Sequence, residues 1–438
     1  MPPRGCQRPD TSGWRQGKVN EGTFGVVYKA IKATEKGNYD ELVGQNRGQM
    51  FQNFFAIKKP KTNAREGEGF NKDAVREIAL LMELKRGTGH ANIVTLRDVI
   101  LCPAGEGRGL YLVFDWAEFE LSEILKQHRD KKEGLDDKGV KSIMWQILNG
   151  ISFLHQNWVV HRDLKPANIL IMGKGRDTGR VKIADFGMAR LFQHPLRSLH
   201  FDGVVVTVWY RAPELLLGAK HYSKAIDMWA IGCIFGELLT KPPGPLFQGV
   251  EDKSFQKDQL QKIFNVLGKP TTDHWRQVTQ LSEWPKVHNM DLDPAKRTPL
   301  EQKIEVLKHE ENIHALNLIK SFFHYDPTKR ISALQAIKHP YFTEKCDFNP
   351  NSVWKKPDTP GVKDRSLGGL DIKFYPERPL VSIGMHGQSM GRGGHAASAH
   401  NNAYAQKRAA GEFFLTLLTV LTILCSLACI HHRFVCGL

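Results

Sequence analysis

The chain has 438 residues, of which 41% are hydrophobic, and 61 basic against 46 acidic side chains give a formal net charge of +15. These fractions exclude a wholly disordered, collagen-like or polytopic membrane chain, and seven cysteines are too sparse for a disulfide scaffold. Length alone suggests two or three domains, and the basic surplus fits acidic partners of any kind, nucleic acid, nucleotide phosphates or protein.

Residues 1–13 are polar and read as a disordered N-terminus. They contain no apolar core and so no secretory signal, which points to a reducing compartment. Residues 25–28 and 54–58 are short and β-rich and read as strands, with 34–53 as a long hairpin loop between them. A helix follows, marked by Val75, Ile78, Ala79 and Met82 at helical spacing. Residues 93–96 and 110–114 are again strand-like. After Leu121 the pattern turns helical, and Val140, Ile143, Met144, Ile147, Ile151 and Leu154 mark one face of a long buried helix. The chain therefore reads as α+β, a small β-rich lobe followed by a larger helical one. Residues 343–412 shift to a low-complexity tail. Residues 413–430 are eighteen positions without a charge, flanked by Lys407-Arg408 and His431-His432-Arg433. That length suits a transmembrane helix of about 17–25 residues.

The chemistry starts at residues 20–29, Asn-Glu-Gly-Thr-Phe-Gly-Val-Val-Tyr-Lys. Glycines at a tight strand turn let backbone N–H groups approach phosphates. The strand–turn–strand context argues against a dinucleotide fingerprint, which opens a helix. Lys58 ends a β-branched strand and can clamp nucleotide phosphates, with Glu77 as its helix partner. Alone, either residue reads as a surface charge. Residues 161–168, His-Arg-Asp-Leu-Lys-Pro-Ala-Asn, are far more specific. Asp163 can accept a proton from a substrate hydroxyl, Lys165 can neutralise a transferring phosphoryl group, and Asn168 can ligate Mg2+. Asp185-Phe186-Gly187 supplies a second metal contact, and Ala212-Pro213-Glu214 follows. Phosphoryl transfer needs positioning and charge neutralisation, and these groups offer both.

In this order, the Gly-rich loop, strand lysine, helix glutamate, HRD–N, DFG and APE segments resemble those of a eukaryotic protein kinase. Lys165 looks like the serine/threonine type. Residues 75–78 and 206–218 resemble the cyclin-dependent kinases. The segment 167–185, with its long loop before Asp185, is similar to the Mediator-associated branch, the cyclin-dependent kinase 8 family, as are residues 114–118, 221–235 and 264–268.

The resemblance implies a bilobal kinase fold, with an N-lobe at 14–117 carrying the αC helix and a mainly helical C-lobe at 118–342. It implies ATP as cofactor, held by Val19, Gly22, Gly25, Val27, Ala56, Lys58 and the backbone of Asp115 and Ala117, with Phe114 as gatekeeper. It implies Mg2+ on Asn168 and Asp185, and catalysis by Asp163, Lys165, Lys58 and Glu77. Asp227, Glu214 and Arg330 take structural roles. Asp202 stands where cell-cycle relatives carry a phosphorylatable threonine, with Arg76, Arg162 and Arg190 facing it. Activation by a partner's acidic group, in place of loop phosphorylation, is the expectation; a solvated loop charge is the alternative at Asp202. Val205 and Val206 match the pocket for a proline after the phosphoacceptor, so Ser/Thr-Pro protein substrates are expected.

The implied partners are a C-type cyclin and Mediator kinase-module subunits, with no direct nucleic acid. The implied function is regulation of RNA polymerase II transcription from the nucleus, by phosphorylation of transcription factors and the polymerase C-terminal repeat. A cell-cycle or elongation-type kinase and a pseudokinase scaffold are the alternatives; the complete catalytic inventory argues against the scaffold. Asn20 in place of a glycine, the longer loop at 86–89, Phe186 and an N-terminus without a long charged helix depart from the family and remove no catalytic group. For 413–430 a tail anchor and a misassigned gene end both stand, and membrane association follows only if the segment is genuine.

Overall fold

In the computed structural model the described residues are 14–22, 25–32, 54–60, 72–85, 89–102, 109–173, 177–192, 208–221, 223–250, 255–288, 290 and 294–343. The expected hairpin loop at 34–53, the tail beyond 343, the apolar segment 413–430 and the activation-segment residues Asp202, Val205 and Val206 lie outside them. No described helix is long and apolar enough to cross a membrane.

The N-terminal part is a five-stranded antiparallel sheet of order β1-β2-β3-β5-β4. Its strands are β1 (Trp14–Gly22), β2 (Gly25–Lys32), β3 (Phe55–Pro60), β4 (Leu96–Cys102) and β5 (Gly109–Asp115). Helix α1 (Lys72–Lys85) crosses between β3 and β4. Alternation sorts the side chains of this sheet to two faces. Ala30, Ile57, Tyr111 and Val113 form a small core on one face. Lys58, one position on from Ile57, points the other way and reaches α1. The strand expected at 93–96 begins later, because Ile93 makes an isolated parallel bridge to Ile183 and the ladder starts at Leu96. Val75, Ile78 and Ala79 of α1 are buried, but Met82 is 38% exposed and leaves the apolar face.

The C-terminal part is mainly helical. It begins with β6 (Phe119–Glu120) and α2 (Leu121–Asp130), followed by α3 (Asp137–Gln156). The Asp136 side chain caps α3 by accepting from the Gly139 N–H at 3.2 Å. All six residues assigned to its buried face lie in the core. Gly150 of α3 has a packing reason: a Cβ there would stand 2.8 Å from Ile183 Cδ1 and 3.0 Å from the Asn92 carbonyl oxygen. Short strands β7 (Val159–Val160), β8 (Ile169–Ile171), β9 (Val181–Ile183) and β10 (Arg190–Leu191) carry the loops of interest. Helix α4 (Pro213–Leu216) precedes the central α5 (Ala225–Leu239), whose residues are nearly all buried. Helices α6 (Lys257–Leu267), α7 (Trp284–His288), α8 (Leu300–Lys303), α9 (Ile313–Phe322), α10 (Ala333–Ile337) and α11 (Pro340–Thr343) complete it. One apolar cluster joins α1 and β5 to α3, α5 and α9, so both parts bear on a shared core.

Candidate active site

Three elements meet at Lys58. Its ammonium lies 3.0 Å from each Glu77 carboxylate oxygen on α1 and 3.0 Å from Asp185 Oδ1 beyond β9. The strand alternation that buries Ile57 aims Lys58 into this gap. Burial alone would lower the lysine's pKa, but the two carboxylates outweigh it and hold the ammonium well above its ordinary value. Burial pushes Glu77 up, offset in part by Lys58 and by a hydrogen bond from the Phe186 backbone. Burial acts on Asp185 in the same direction, but Lys58 brings its carboxyl below the usual range. Asp185 sits at φ 64°, a left-handed conformation uncommon for a residue with a Cβ.

The catalytic loop follows β7. His161 is fully buried, with Nε2 donating to the Ala184 carbonyl at 3.0 Å and Nδ1 accepting the Asp163 N–H at 3.3 Å. Its ring stands edge-on to Phe186 at 5.2 Å. Asp163 Oδ2 receives the Lys165 ammonium at 2.8 Å and the Asn168 amide at 3.1 Å. The same Asn168 amide nitrogen donates to the Asp163 carbonyl at 2.7 Å, which closes the turn.

Asp227 of α5 anchors this loop from below. Its carboxylate accepts the backbone N–H groups of His161 and Arg162, each at 2.9 Å, and His155 Nε2 at 2.9 Å. Burial would raise this carboxyl, yet the His155 bond and the nearby histidines hold it below its ordinary value. These bonds keep Arg162 at φ 73°, strained for a non-glycine residue. Farther down, Arg330 pairs with Glu214 at 2.8 and 3.0 Å, donates to the Ala225 carbonyl at 2.8 Å, and lies over the Trp229 ring at 5.2 Å.

Two of the three arginines assigned to Asp202 share an acid on α1. Asp73, in the first turn of α1, lies 2.5 Å from Arg76 Nη1 and 3.8 Å from Arg190 Nη2. Arg162 is placed by its backbone N–H, which donates to Asp227 at 2.9 Å.

The expected nucleotide residues line the sheet. Val19 is the extra residue of a β-bulge in β1, between the Lys18–Tyr28 and Asn20–Val27 pairs. Gly22 and Gly25 face each other across the turn. Gly25 is required by close approach, since a Cβ would run into the Lys59 carbonyl. Val27 pairs with Lys58, and Ala56 with Phe114. Asp115 is gripped by Arg97 at 2.7 and 2.8 Å. Asn168 and Asp185 offer the oxygen donors that Mg2+ takes. Among the described residues there is no group of three or more His, Cys, Asp or Glu that could hold a metal ion.

Several supporting residues escaped the sequence reading. Asp73 stands three residues before Arg76 on a helix, a spacing that could have flagged it. His155 carries no such signal, being 72 positions from Asp227. The buried amide network of Asn92, Gln146 and Asn149, which ties α3 to β9 and the segment before β4, is likewise invisible to a linear reading. Tyr210 donates to Glu237 at 2.7 Å, a link between the APE approach and α5.

Residues 15–342 match the protein kinase domain family. The chain is 47% identical over 343 residues to a probable cyclin-dependent kinase 8 of Dictyostelium discoideum, covering 77% of this chain and 82% of that one. It is 44% identical to the cyclin-dependent kinase 8 of Drosophila melanogaster, over 75% and 69% of the two chains. A serine/threonine-protein kinase SSN3 from Yarrowia lipolytica is 42% identical over 76% and 78%. With the Lys58–Glu77 pair and the Asp163 loop in place, the chain belongs to the protein kinase family, as a serine/threonine kinase of the cyclin-dependent kinase 8 type.

Proposed function

We propose that this kinase works with a C-type cyclin in the Mediator kinase module. In this reading it phosphorylates Ser/Thr-Pro sites in transcription factors and the polymerase C-terminal repeat, in the nucleus. The observation that carries the catalytic part is the pairing of Lys58 with Glu77 opposite an Asp163 loop held by Asp227. The relatives' names support the assignment to this branch.

The nucleotide sits between the two parts, with adenine under Val27 and Ala56 and against the backbone of Asp115 and Ala117. Val19, Gly22 and Gly25 cover the phosphates and Lys58 binds them. Asn168 and Asp185 hold Mg2+, which neutralises phosphate charge when bound. Asp163 orients the substrate hydroxyl and takes its proton. Lys165 and Asn168 both engage Oδ2, which leaves Oδ1 to accept. Lys165, beside that carboxylate, meets the developing negative charge. Glu214 with Arg330 and Asp227 with His155 keep these groups in register. Asp202, with Arg76, Arg162 and Arg190, forms the acidic-partner site, and Val205 and Val206 form the proline pocket.

Affinity purification of the native full-length protein tests the assignment. Recovery of a C-type cyclin with Mediator subunits, and a proline preference in a peptide library, are expected. A cell-cycle cyclin alone would overturn it. Membrane fractionation of the same protein decides between nucleus and a tail anchor at 413–430.

A further inference from the structure

The lysine at position 29 has no place in the phosphate chemistry, yet it is built into the edge of the cleft. It lies in β2 two residues after Val27, and so on the same face of the sheet, paired with Ala56 in β3. Its ammonium lies 4.3 Å from the centroid of the Phe54 ring and 4.5 Å from that of Trp116. Two ring faces this close to one cation form an aromatic cage. Burial lowers the lysine's pKa, offset in part by Glu118, so the ammonium is partly stripped of water. A cation–π contact is stronger under those conditions.

The cage does not float. The Trp116 backbone N–H donates to the Phe54 carbonyl at 3.3 Å. The Trp116 indole donates to Glu118 Oε2 at 2.6 Å. Glu118 in turn lies against Gly173 after β8, where even a Cβ would collide with it. On the other side of the connector, Arg97 grips Asp115 with two bonds. Residues 115–118 thus form a splinted strip between β5 and β6. The backbone of this strip is where the kinase reading puts adenine.

We propose that Lys29 is a positioning residue for nucleotide binding: held between Phe54 and Trp116, it fixes the backbone of residues 115–118 in the geometry that grips the adenine. The inference rests on the kinase reading of that strip. Lys29 touches no reacting atom, so its effect falls on nucleotide affinity and not on phosphoryl transfer.

The test uses the full-length kinase with its copurified cyclin. Fluorescent N-methylanthraniloyl-ADP reports nucleotide affinity, and steady-state kinetics report KM for ATP and kcat. Lys29→Met keeps the length of the side chain and removes its charge. It should weaken ADP binding and raise KM about three- to tenfold, the size of a partly desolvated cation–π contact, with kcat within about twofold by the same reasoning. Lys29→Arg restores a cation over the rings and should recover affinity. Lys29→Met and Trp116→Ala together should cost no more than the larger single change, because they break one contact. An equal fall in kcat, no rescue by arginine, or additive losses would overturn the proposal. If the wild-type protein binds the ADP probe and Lys29→Met binds it equally, this inference alone fails. If the wild-type protein does not bind the probe, the kinase reading of the cleft fails, and this inference with it.

Discussion

Arg190, on β10 just after the DFG segment, reaches Asp73 at the start of α1 across 3.8 Å. Asp73 also holds Arg76 one turn along its own helix. Two of the three arginines expected to await an outside acid are thus already bridged by an acid of the chain. The bridge ties α1, which carries Glu77, to the segment that follows Asp185. A pair this long, with Asp73 largely exposed, contributes little to stability, under about 1 kcal/mol, but it links two separate elements of the site. Asp73→Ala should leave the melting temperature within about 2 °C. It should lower kcat/KM of the isolated kinase by about two- to fivefold, equivalent to less than 1 kcal/mol. Unchanged kinetics would show that the bridge has no influence on α1.

Asp163→Asn removes the proton acceptor and keeps the shape of the side chain. General-base catalysis contributes about 10²–10⁴-fold, and kcat should fall by that amount. Nucleotide binding and thermal unfolding should stay close to the wild type, because the amide keeps one oxygen that can accept from Lys165 and Asn168. Radiolabel transfer to a Ser-Pro peptide, measured beside ADP affinity, separates the two effects.

Asp227→Asn should behave in the opposite way. The carboxylate accepts two backbone N–H groups and His155, and an amide nitrogen turned toward any of them places donor against donor. Loss of such a buried, fully satisfied group costs about 2–4 kcal/mol. Urea unfolding should show this as a lower midpoint with an unchanged slope. A variant as stable as the wild type would remove Asp227 from its anchoring role.

His90 gives a prediction in pH. Its ring stacks on Phe153 at 4.6 Å, and Nδ1 accepts the Asn92 N–H at 3.1 Å. Burial, with Lys182 nearby, lowers its pKa from 6.5 to about 4. The folded state therefore binds fewer protons than the unfolded one between these values. The stability His90 contributes is complete above about pH 6.5 and is lost as pH falls towards about 4. Urea midpoints measured from pH 7 to pH 4.5 should fall more steeply for the wild type than for His90→Gln. Parallel curves would refute the assignment.

The catalytic skeleton could be read from the sequence because its parts are either adjacent in the chain or bound to segments of fixed order. Asp163, Lys165 and Asn168 fall within six residues, and the spacing itself brings them together. The buried face of α3 was legible because helical periodicity is a local property. The edge of β4 was not, since Ile93 is apolar enough for a strand and only the sheet decides where pairing begins. Met82 shows the same limit, as an apolar residue at helical spacing that the surrounding packing leaves exposed. The supports of the site were least visible. His155 to Asp227, Asn92 to Gln146 and Lys29 to Trp116 are contacts across 54 to 87 positions, made by residue types that mostly lie on surfaces.

The two halves of the site are mounted differently. Asp163 and its loop stand on α5 through Asp227, inside the largest apolar cluster. Lys58 meets its partner on α1, which shares that cluster through Val75 and Ile78 and also fastens its first turn through Asp73 to Arg76 and Arg190. A displacement of α1 would break the Lys58–Glu77 pair and leave the proton acceptor where it is. Loss of that pair alone would therefore take away the phosphate clamp and spare the proton acceptor.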